Sequence, residues 1–153
     1  MANTYSQLYI HVVFAVKRRE SLIKEQYREQ IQRYITGILQ KRNSKMISIY
    51  CMPDHTHLFI GLNPSTALSD LVRDIKAGSS NYINEQDWFQ SKFNWQEGYG
   101  SFSYSKSLIS KVAKYIENQP EHHKKQPFKD EYIDWLKKFE VDYNEKYLFD
   151  WHE

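Results

Sequence analysis

This chain of 153 residues has neither a pair of cysteines for a disulfide bond nor an apolar run long enough to span a membrane, two features that cross-link or anchor many exported proteins. The single cysteine, Cys51, cannot form an internal disulfide, and no apolar run approaches the ~20 residues that cross a bilayer. No charged, apolar and small-residue leader opens the sequence, and no repeat, low-complexity tract or linker interrupts it. We therefore expect a cytoplasmic protein without membrane association, in which residues 1–153 form one domain around a real core.

Charge is distributed unevenly, although the net charge is only +2. Residues 1–45 contain nine Lys or Arg and three Asp or Glu, whereas residues 130–153 contain three basic and eight acidic residues. A basic amino-terminal third suits contacts with phosphates, and the aromatic residues, 16% of the chain, offer stacking surfaces for unpaired bases. Solvated helix faces and an aromatic core explain the same composition, so both interpretations stay open.

Hydrophobic periodicity predicts alternating strands and helices. Strand patterns occupy residues 5–16, 45–52, 55–62 and 94–105. Helical patterns occupy residues 21–41, 66–84 with a cap at Ser65 or Thr66, 108–119 with a cap at Ser107, and 130–139. The first strand is apolar on both faces, which places it at the centre of a sheet. The order β-α-β-β-α-β predicts an α+β, ferredoxin-like fold (split βαβ, RRM-like), with a four-stranded antiparallel sheet, helices and a C-terminal helical segment.

The tripeptide His55-Thr56-His57 lies in a segment that otherwise has the pattern of a buried strand. Residues i and i+2 of a strand share a face, so the two imidazoles can chelate one divalent ion. The alternative is a pair of histidines that are satisfied in a half-buried position or that face solvent. Two ligands rarely suffice, so a metal site needs a third ligand from elsewhere in the chain.

Other candidate ligands carry weaker signals. Asp54 can accept a hydrogen bond from the adjacent imidazole, or it can be a simple turn residue. Cys51 lacks any recognised zinc spacing, and His11, on the covered first strand, is interpreted as structural. The tandem His122-His123 follows Pro120 closely and could approach the same site, but neighbouring side chains point in different directions, so a solvated turn is the favoured interpretation.

A second group of interest lies on the third predicted helix, where Tyr115 and Gln119 are four residues apart and share a face. The apolar stripe beside them would dock the helix on the sheet and leave Tyr115 at its flank. A tyrosine at the edge of a core is the commoner outcome of such a position, so spacing alone assigns no chemistry to it.

Taken in order, these features resemble the single-tyrosine transposases of the HUH superfamily, the enzymes of the smallest bacterial insertion sequences, whose relatives include REP-associated tyrosine transposases. The resemblance depends on the histidine pair, on Tyr115 and Gln119, and on the segment WQEGYGSFS from Trp95 to Ser103, and it spans nearly the whole chain. The middle residue of the histidine motif is usually bulky and apolar in that superfamily. Here it is Thr56, whose side chain should point away from the histidines.

The resemblance implies a metal-dependent transposase that cleaves and rejoins single-stranded DNA at insertion-sequence ends through a covalent 5′-phosphotyrosine. It implies that His55 and His57 are metal ligands, that Gln119 adds its carbonyl oxygen, and that Tyr115 is the nucleophile. Pro120 biases Gln119 away from helical geometry, which makes the reach of its side chain the weakest of these assignments. The implied cofactor is Mg²⁺, or Mn²⁺ by ligand softness.

The resemblance also implies partners. The expected substrate is single-stranded DNA with hairpin ends, and the expected assembly is a homodimer that joins two sheets and can exchange the tyrosine helix between subunits. Candidate DNA-binding residues are the basic side chains Lys17, Arg18, Arg19, Arg73 and Lys76.

Two other functions fit the residues taken alone. A noncatalytic module that binds single-stranded nucleic acid would need stacking aromatics on an open sheet, and it gives no common role to the histidine pair and Tyr115. A metal-dependent phosphodiesterase that uses water as nucleophile would keep its activity in Tyr115→Phe.

Overall fold

The computed structural model describes residues 4–152. Its strands are β1 (Tyr9–Ala15), β2 (Lys45–Cys51), β3 (His55–Gly61) and β4 (Gly100–Tyr104). Its α-helices are α1 (Glu25–Lys41), α2 (Leu68–Glu85), α3 (Ile109–Glu117), α4 (Gln119–His123) and α5 (Phe128–Lys138). The strands form one antiparallel sheet in the order β2-β3-β1-β4. The predicted α+β, ferredoxin-like fold with a C-terminal helical segment is therefore confirmed.

Strand β1 lies between β3 and β4, and its register divides the sheet into two faces. Directly paired residues share a face, and Ala15 pairs with His55 while Val13 pairs with His57. We call this side the histidine face. The alternate residues of β1, including Phe14, point to the opposite side, which we call the apolar face.

Helices α1 and α2 cover the apolar face. The buried residues that they contribute recur at helical spacing: Ile31, Ile35, Leu39, Leu71, Val72, Ile75 and Ile83. Between them and the sheet, the ring of Phe14 meets Trp95 edge to face with centroids 4.7 Å apart. The indole nitrogen of Trp95 donates to Ser79 Oγ at 2.9 Å, which satisfies the polar end of this buried ring.

Helices α3 and α5 share the histidine face. Val112 and Ile116 of α3 pack on Phe59 of β3, whereas the apolar side of α5 packs against β1 and β4. Gly100 permits this close approach of α5, because a Cβ atom there would lie 2.6 Å from the hydroxyl of Tyr132. The site described below lies where the two helices meet over the strands.

The chain after α5 returns to the sheet and holds that helix in place. Gln96 donates from Nε2 to the carbonyl of Asp150 at 2.9 Å and accepts from the amide of Asp150 at 2.7 Å. Nε2 of His152 lies 2.8 Å from the carbonyl oxygen of Val16, at the end of β1. These bonds tie the segment after α5 to the sheet.

Element boundaries differ from the predicted ones where the backbone turns. The fourth strand begins at Gly100 instead of residue 94, since Gly98 has a φ of +83° that breaks the extended run. Helix α2 begins at Leu68 without a side-chain cap, so the predicted Ser65 or Thr66 cap is wrong. Ser107 lies within a short 3-10 turn and also provides no cap. In the part of the chain described, no helix combines the length and hydropathy that crossing a bilayer requires.

Candidate metal and nucleophile site

Strand β3 presents both histidines of the motif to the same space. His55 and His57 are fully buried, on the face covered by α3 and α5. Thr56 pairs with Phe14 and so faces the apolar side of the sheet, as predicted from the strand period. The strand thus holds two imidazoles side by side, with their ring centroids 4.9 Å apart.

Each imidazole is oriented by a partner at its Nδ1 atom. Nδ1 of His55 lies 2.7 Å from Oδ1 of Asp54, and Nδ1 of His57 lies 2.9 Å from Nε2 of His11. The Nε2 atoms of both motif histidines are buried and have no hydrogen-bond partner among the described residues. An Nδ1–H that donates outward leaves the Nε2 lone pair free to bind a metal, as is usual for metal-binding histidines. The structural role predicted for His11 is thus a contact to His57.

Tyr115 and Gln119 reach the same space although the helix between them is interrupted. Helix α3 ends at Glu117, and Pro120 lies in the first turn of α4, where its missing N–H is not needed. The Tyr115 hydroxyl donates to Oε2 of Glu131, and Gln119 Nε2 donates to the same oxygen at 3.2 Å. Tyr115 and Gln119, which were predicted to share a helical face, therefore both contact the carboxylate of Glu131.

Glu131, on α5, is the centre of the cluster. Its side chain is 3% exposed, and Oε1 has no hydrogen-bond partner among the described residues. Oε1 lies 3.4 Å from His57 Nε2, 3.9 Å from His55 Nε2 and 3.4 Å from His123 Nε2. A buried carboxylate with one oxygen directed at three imidazoles and the other at Tyr115 links the two parts of the site.

The charges of the cluster are strongly coupled. Burial alone would raise the pKa of Glu131, but His57 and the neighbouring imidazoles outweigh burial and hold that pKa far below its ordinary value. Burial, reinforced by Glu131, raises the pKa of the Tyr115 hydroxyl far above its ordinary value. Burial also lowers the pKa values of His57 and His11. These directions favour an ionised Glu131, neutral rings at His57 and His11, and a neutral phenol at Tyr115.

The donor atoms fit a divalent ion. One ligand atom from each of His55, His57, His123 and Glu131 lies within 4.8 Å of the other three. Imidazole nitrogen and carboxylate oxygen are ordinary ligands of divalent metals, and an ion would provide the partner that the buried Nε2 atoms and Oε1 lack. The cluster thus has both the geometry and the chemistry of a metal site.

The structure corrects one interpretation and adds a residue that sequence reasoning missed. His123 was expected in a solvated turn, but its side chain is 14% exposed and lies in the cluster, because α4 turns this residue toward the sheet. Glu131 was read only as part of an acidic tail. A signal was present, since Glu131 occupies the i+3 position after Phe128 on the apolar stripe of its helix, where a charged residue is unexpected.

The predicted DNA-binding residues differ in their freedom to contact a phosphate. Lys17, Arg18 and Arg19 are exposed directly after β1, at the end of the sheet where β3 begins with His55. Arg73 is exposed and forms ion pairs within α2. Lys76 is half-buried, and its Nζ donates to the carbonyls of Gln96 at 2.8 Å and Gly98 at 2.6 Å. Burial lowers the pKa of Lys76 to about 8.

A cavity of about 160 Å³ opens beside Tyr115 at the junction of α3 and α5. The exposed Lys111 and Lys138 lie on its walls, and Trp135 and His11 form part of its lining. Sequence reasoning did not single out these two lysines, since their helices had no known relative placement. They provide positive charge on the walls of the cavity that Tyr115 also lines.

The fold and the cluster together define a class of protein. It is an α+β protein with a ferredoxin-like sheet, in which a cluster of three histidines and one glutamate suggests metal binding. The chain belongs to the IS200-like transposases, whose family model matches residues 4–119. It is therefore a transposase, and membership of this family implies DNA strand transfer. The resemblance to the single-tyrosine transposases is confirmed.

Two curated relatives illustrate the match. The ISDra2 transposase TnpA of Deinococcus radiodurans is 25% identical over 120 residues, which cover 74% of this chain and 84% of that protein. The transposase of insertion sequence element IS200 from Salmonella typhimurium is 24% identical over 129 residues, which cover 81% of this chain and 84% of that protein.

Two solved structures share the fold. A transposase from Deinococcus radiodurans R1 has a TM-score of 0.61 and 21% identity, covering 78% of this chain and 95% of that chain. A REP-associated tyrosine transposase bound to a REP hairpin has a TM-score of 0.58 and 18% identity, covering 80% of this chain and 74% of that chain. The match to the family model ends at Gln119, so His123 and Glu131 both lie beyond it.

Proposed function

We propose that this transposase cleaves and rejoins single-stranded DNA at insertion-sequence ends through a covalent 5′-phosphotyrosine on Tyr115. The observation that carries the proposal is the convergence of Tyr115 and the buried Nε2 atoms of His55 and His57 on the single carboxylate of Glu131. The Tyr115 hydroxyl and the histidine nitrogens of one chain thus lie around the same carboxylate, which supports a nucleophile acting beside a metal ion. We also propose that residues 1–153 act as one HUH endonuclease and transposase domain.

The chemistry is a pair of transesterifications. The oxygen of Tyr115 forms a bond to the scissile phosphorus while the bond to the 3′ oxygen breaks, so that one strand end carries a 5′-phosphotyrosine and the other a 3′ hydroxyl. A 3′ hydroxyl then attacks the phosphotyrosine, rejoins the strands and restores the phenol. The number of phosphodiester bonds is conserved, so no nucleotide triphosphate is consumed.

Three side chains are proposed to hold the metal ion. His55 and His57 offer their Nε2 atoms, and Gln119 offers Oε1, which lies 2.9 Å from His123 Nε2 at the edge of the cluster. Bound there, Mg²⁺ or Mn²⁺ would supply a Lewis acid for the scissile phosphate. Asp54 and His11 fix the imidazole orientations. The proton that Tyr115 loses as it attacks is balanced by the proton that the departing 3′ oxygen gains.

The DNA partner is proposed to be single-stranded with hairpin ends. Support comes from the family and from the REP-associated relative, which was solved with a REP hairpin. Lys17, Arg18 and Arg19 are exposed at the sheet end next to the histidine motif, where they can contact phosphates. Arg73 and Lys76 remain candidates, although Lys76 is already bonded to two carbonyls. A homodimer that joins sheets through an edge, with exchange of the tyrosine helix, is likewise proposed.

The test combines purified protein with labelled single strands from the DNA that flanks its own gene. Incubation is carried out with Mg²⁺, with Mn²⁺ and with chelator, and the products are separated under denaturing conditions. Tyr115→Phe is compared with Tyr104→Phe, a matched loss of one phenol on the histidine face. We expect a denaturation-resistant protein–DNA adduct that requires metal, forms in Tyr104→Phe and is absent in Tyr115→Phe.

The other outcomes select the two alternative functions. Tight binding of the strands without any adduct would favour the noncatalytic nucleic-acid-binding module. Cleavage that persists in Tyr115→Phe would favour the phosphodiesterase that uses water, since the metal donors would then act without the tyrosine.

A further inference from the structure

Two residues of the metal cluster come from the part of the chain beyond the family match. His123 lies in α4 and Glu131 in α5, whereas the matched region ends at Gln119. The match to the family model therefore says nothing about either residue. Their convergence on the histidine pair therefore needs its own explanation.

The distances around Glu131 agree with direct coordination of an ion. Ligand atoms ~2.1 Å from one tetrahedral ion are separated by ~3.4 Å. Glu131 Oε1 lies 3.4 Å from both His57 Nε2 and His123 Nε2, and 3.9 Å from His55 Nε2. On a bound tetrahedral ion, separations that now reach 4.8 Å would shorten to ~3.4 Å, and His123 Nε2 would exchange its hydrogen bond to Gln119 Oε1, 2.9 Å away, for the metal.

The burial of unpaired atoms also indicates a ligand. His55 Nε2, His57 Nε2 and Glu131 Oε1 are buried without hydrogen-bond partners among residues 4–152, and they face one another. Buried polar atoms without partners cost free energy, so native proteins rarely leave several in one place. An ion at the common centre would satisfy all three at once.

The donor set selects the class of ion. Three imidazole nitrogens and one carboxylate oxygen suit Zn²⁺, Co²⁺ and Mn²⁺. Mg²⁺ prefers an octahedral shell of oxygens, several of them from water, so a set with three imidazole nitrogens suits it less well.

The second oxygen of Glu131 shows what such a site would do to the reaction. Oε2 accepts the hydrogen bond of the Tyr115 hydroxyl, while Oε1 faces the three histidines. One carboxylate thus bridges the nucleophile and the metal donors, which is the space that the scissile phosphate must enter. Phosphate and carboxylate are both anions that offer two oxygens, so they compete for the same partners.

We propose that His123 and Glu131 complete, with His55 and His57, a four-ligand site for a divalent transition-metal ion in the resting protein. Glu131 is the ligand that withdraws when a DNA phosphate enters. The second part rests on the proposed function, whereas the metal site stands independently of it.

The test measures metal binding by the full chain without DNA. Calorimetric titration with Mn²⁺ compares wild type with Glu131→Gln and His123→Asn. Asp130→Asn is the matched control, since it removes one carboxylate from an exposed position of the same helix. We expect one ion per chain, at least tenfold weaker binding in both cluster variants, and less than a twofold change in Asp130→Asn.

A second readout needs no variant. Co²⁺ in a four-ligand tetrahedral site absorbs visible light far more strongly than octahedral Co²⁺. We expect the strong spectrum in wild type, without displacement by an equal concentration of Mg²⁺. A weak octahedral spectrum, or unchanged Mn²⁺ affinity in folded Glu131→Gln, would overturn the four-ligand site.

The withdrawal of Glu131 is tested by adduct formation at saturating Mn²⁺. Glu131→Gln should form the Tyr115 adduct at least as fast as wild type, because a neutral amide competes less well with phosphate. Loss of the adduct under that condition would contradict the withdrawal. If wild type forms no adduct while its Mn²⁺ affinity depends on Glu131, the proposed function fails and the metal site remains.

Discussion

The two faces of the sheet are built from the same strands but are covered in contrasting ways. On the apolar face, Phe14 and Val12 pack against hydrophobic stripes of α1 and α2. On the histidine face, the equivalent positions of neighbouring strands hold His11, His55 and His57, and the covering helices contribute Tyr115 and a buried carboxylate.

This difference between the two faces indicates that the apolar face mainly stabilises the fold, whereas the histidine face contains the groups for chemistry. Burial of close-packed apolar groups is the main favourable contribution to folding, and the apolar face contains most of it. The histidine face buries unpaired polar atoms, Glu131 Oε1 among them, which an apolar core would avoid. Local departures from good packing of this kind are expected at functional sites.

The largest effect should follow from weakening the apolar face. Phe14 is fully buried against Trp95, so Phe14→Ala should lower the free energy of unfolding by about 3–5 kcal/mol. Urea unfolding followed by circular dichroism measures this change. A decrease in unfolding free energy below about 1 kcal/mol, close to that of an ordinary surface substitution, would contradict the view that the apolar face provides most of the stability.

A smaller effect should follow from lifting α5 off the histidine face. In Gly100→Val, the added Cβ would lie 2.6 Å from the Tyr132 hydroxyl and 2.7 Å from a carbon of its ring, so overpacking should cost about 1–3 kcal/mol. Hydrogen exchange should accelerate in α5 and in the segment after it, while α1 and α2 stay protected. Equal acceleration on both faces would show that α5 does not open independently of the apolar face.

A further effect should appear on acidification without metal. Burial lowers the pKa values of His11 and His57, while the unfolded chain keeps histidines at ~6.5. The unfolded state therefore binds more protons, and stability is lost as the pH falls below ~6.5. We expect a decrease of about 1–2 kcal/mol from pH 7.0 to 5.5 in the presence of chelator.

The matched variant for this pH effect is His11→Phe, which removes one of the two imidazoles whose pKa is lowered by burial. Its unfolding free energy should depend less steeply on pH over the same interval. A flat profile in wild type would mean that protons reach the histidine face without cost, contrary to its burial.

The smallest effect should be an increase in stability from a substitution in a helix that covers the apolar face. Gly37 lies in α1, and a Cβ there would meet nothing within 4 Å. Gly37→Ala should therefore raise the free energy of unfolding by about 0.5–1 kcal/mol through helix propensity, without changing Mn²⁺ affinity. A change in metal binding would show that the two faces are coupled.

Much of the fold was predictable because its signals are local. Alternation along β1 identified a strand covered on both faces, and the order of periodic segments gave the ferredoxin-like plan. The histidine motif and the Tyr115–Gln119 spacing also lie within single elements. Boundaries were less predictable: Gly98 breaks the fourth strand early, and α3 ends before Pro120 instead of at Gln119.

The sequence by itself determined the strand and helix order, the shared face of His55 and His57, and the identity of the family. Only the tertiary structure decided that Glu131 and His123 join them. Periodicity reports which residues of one element share a face, but it carries no information on which faces of distant elements meet. The docking of α5 beside α3, permitted at Gly100 and tied down through Gln96, brings a carboxylate from the acidic C-terminal segment against the buried histidines.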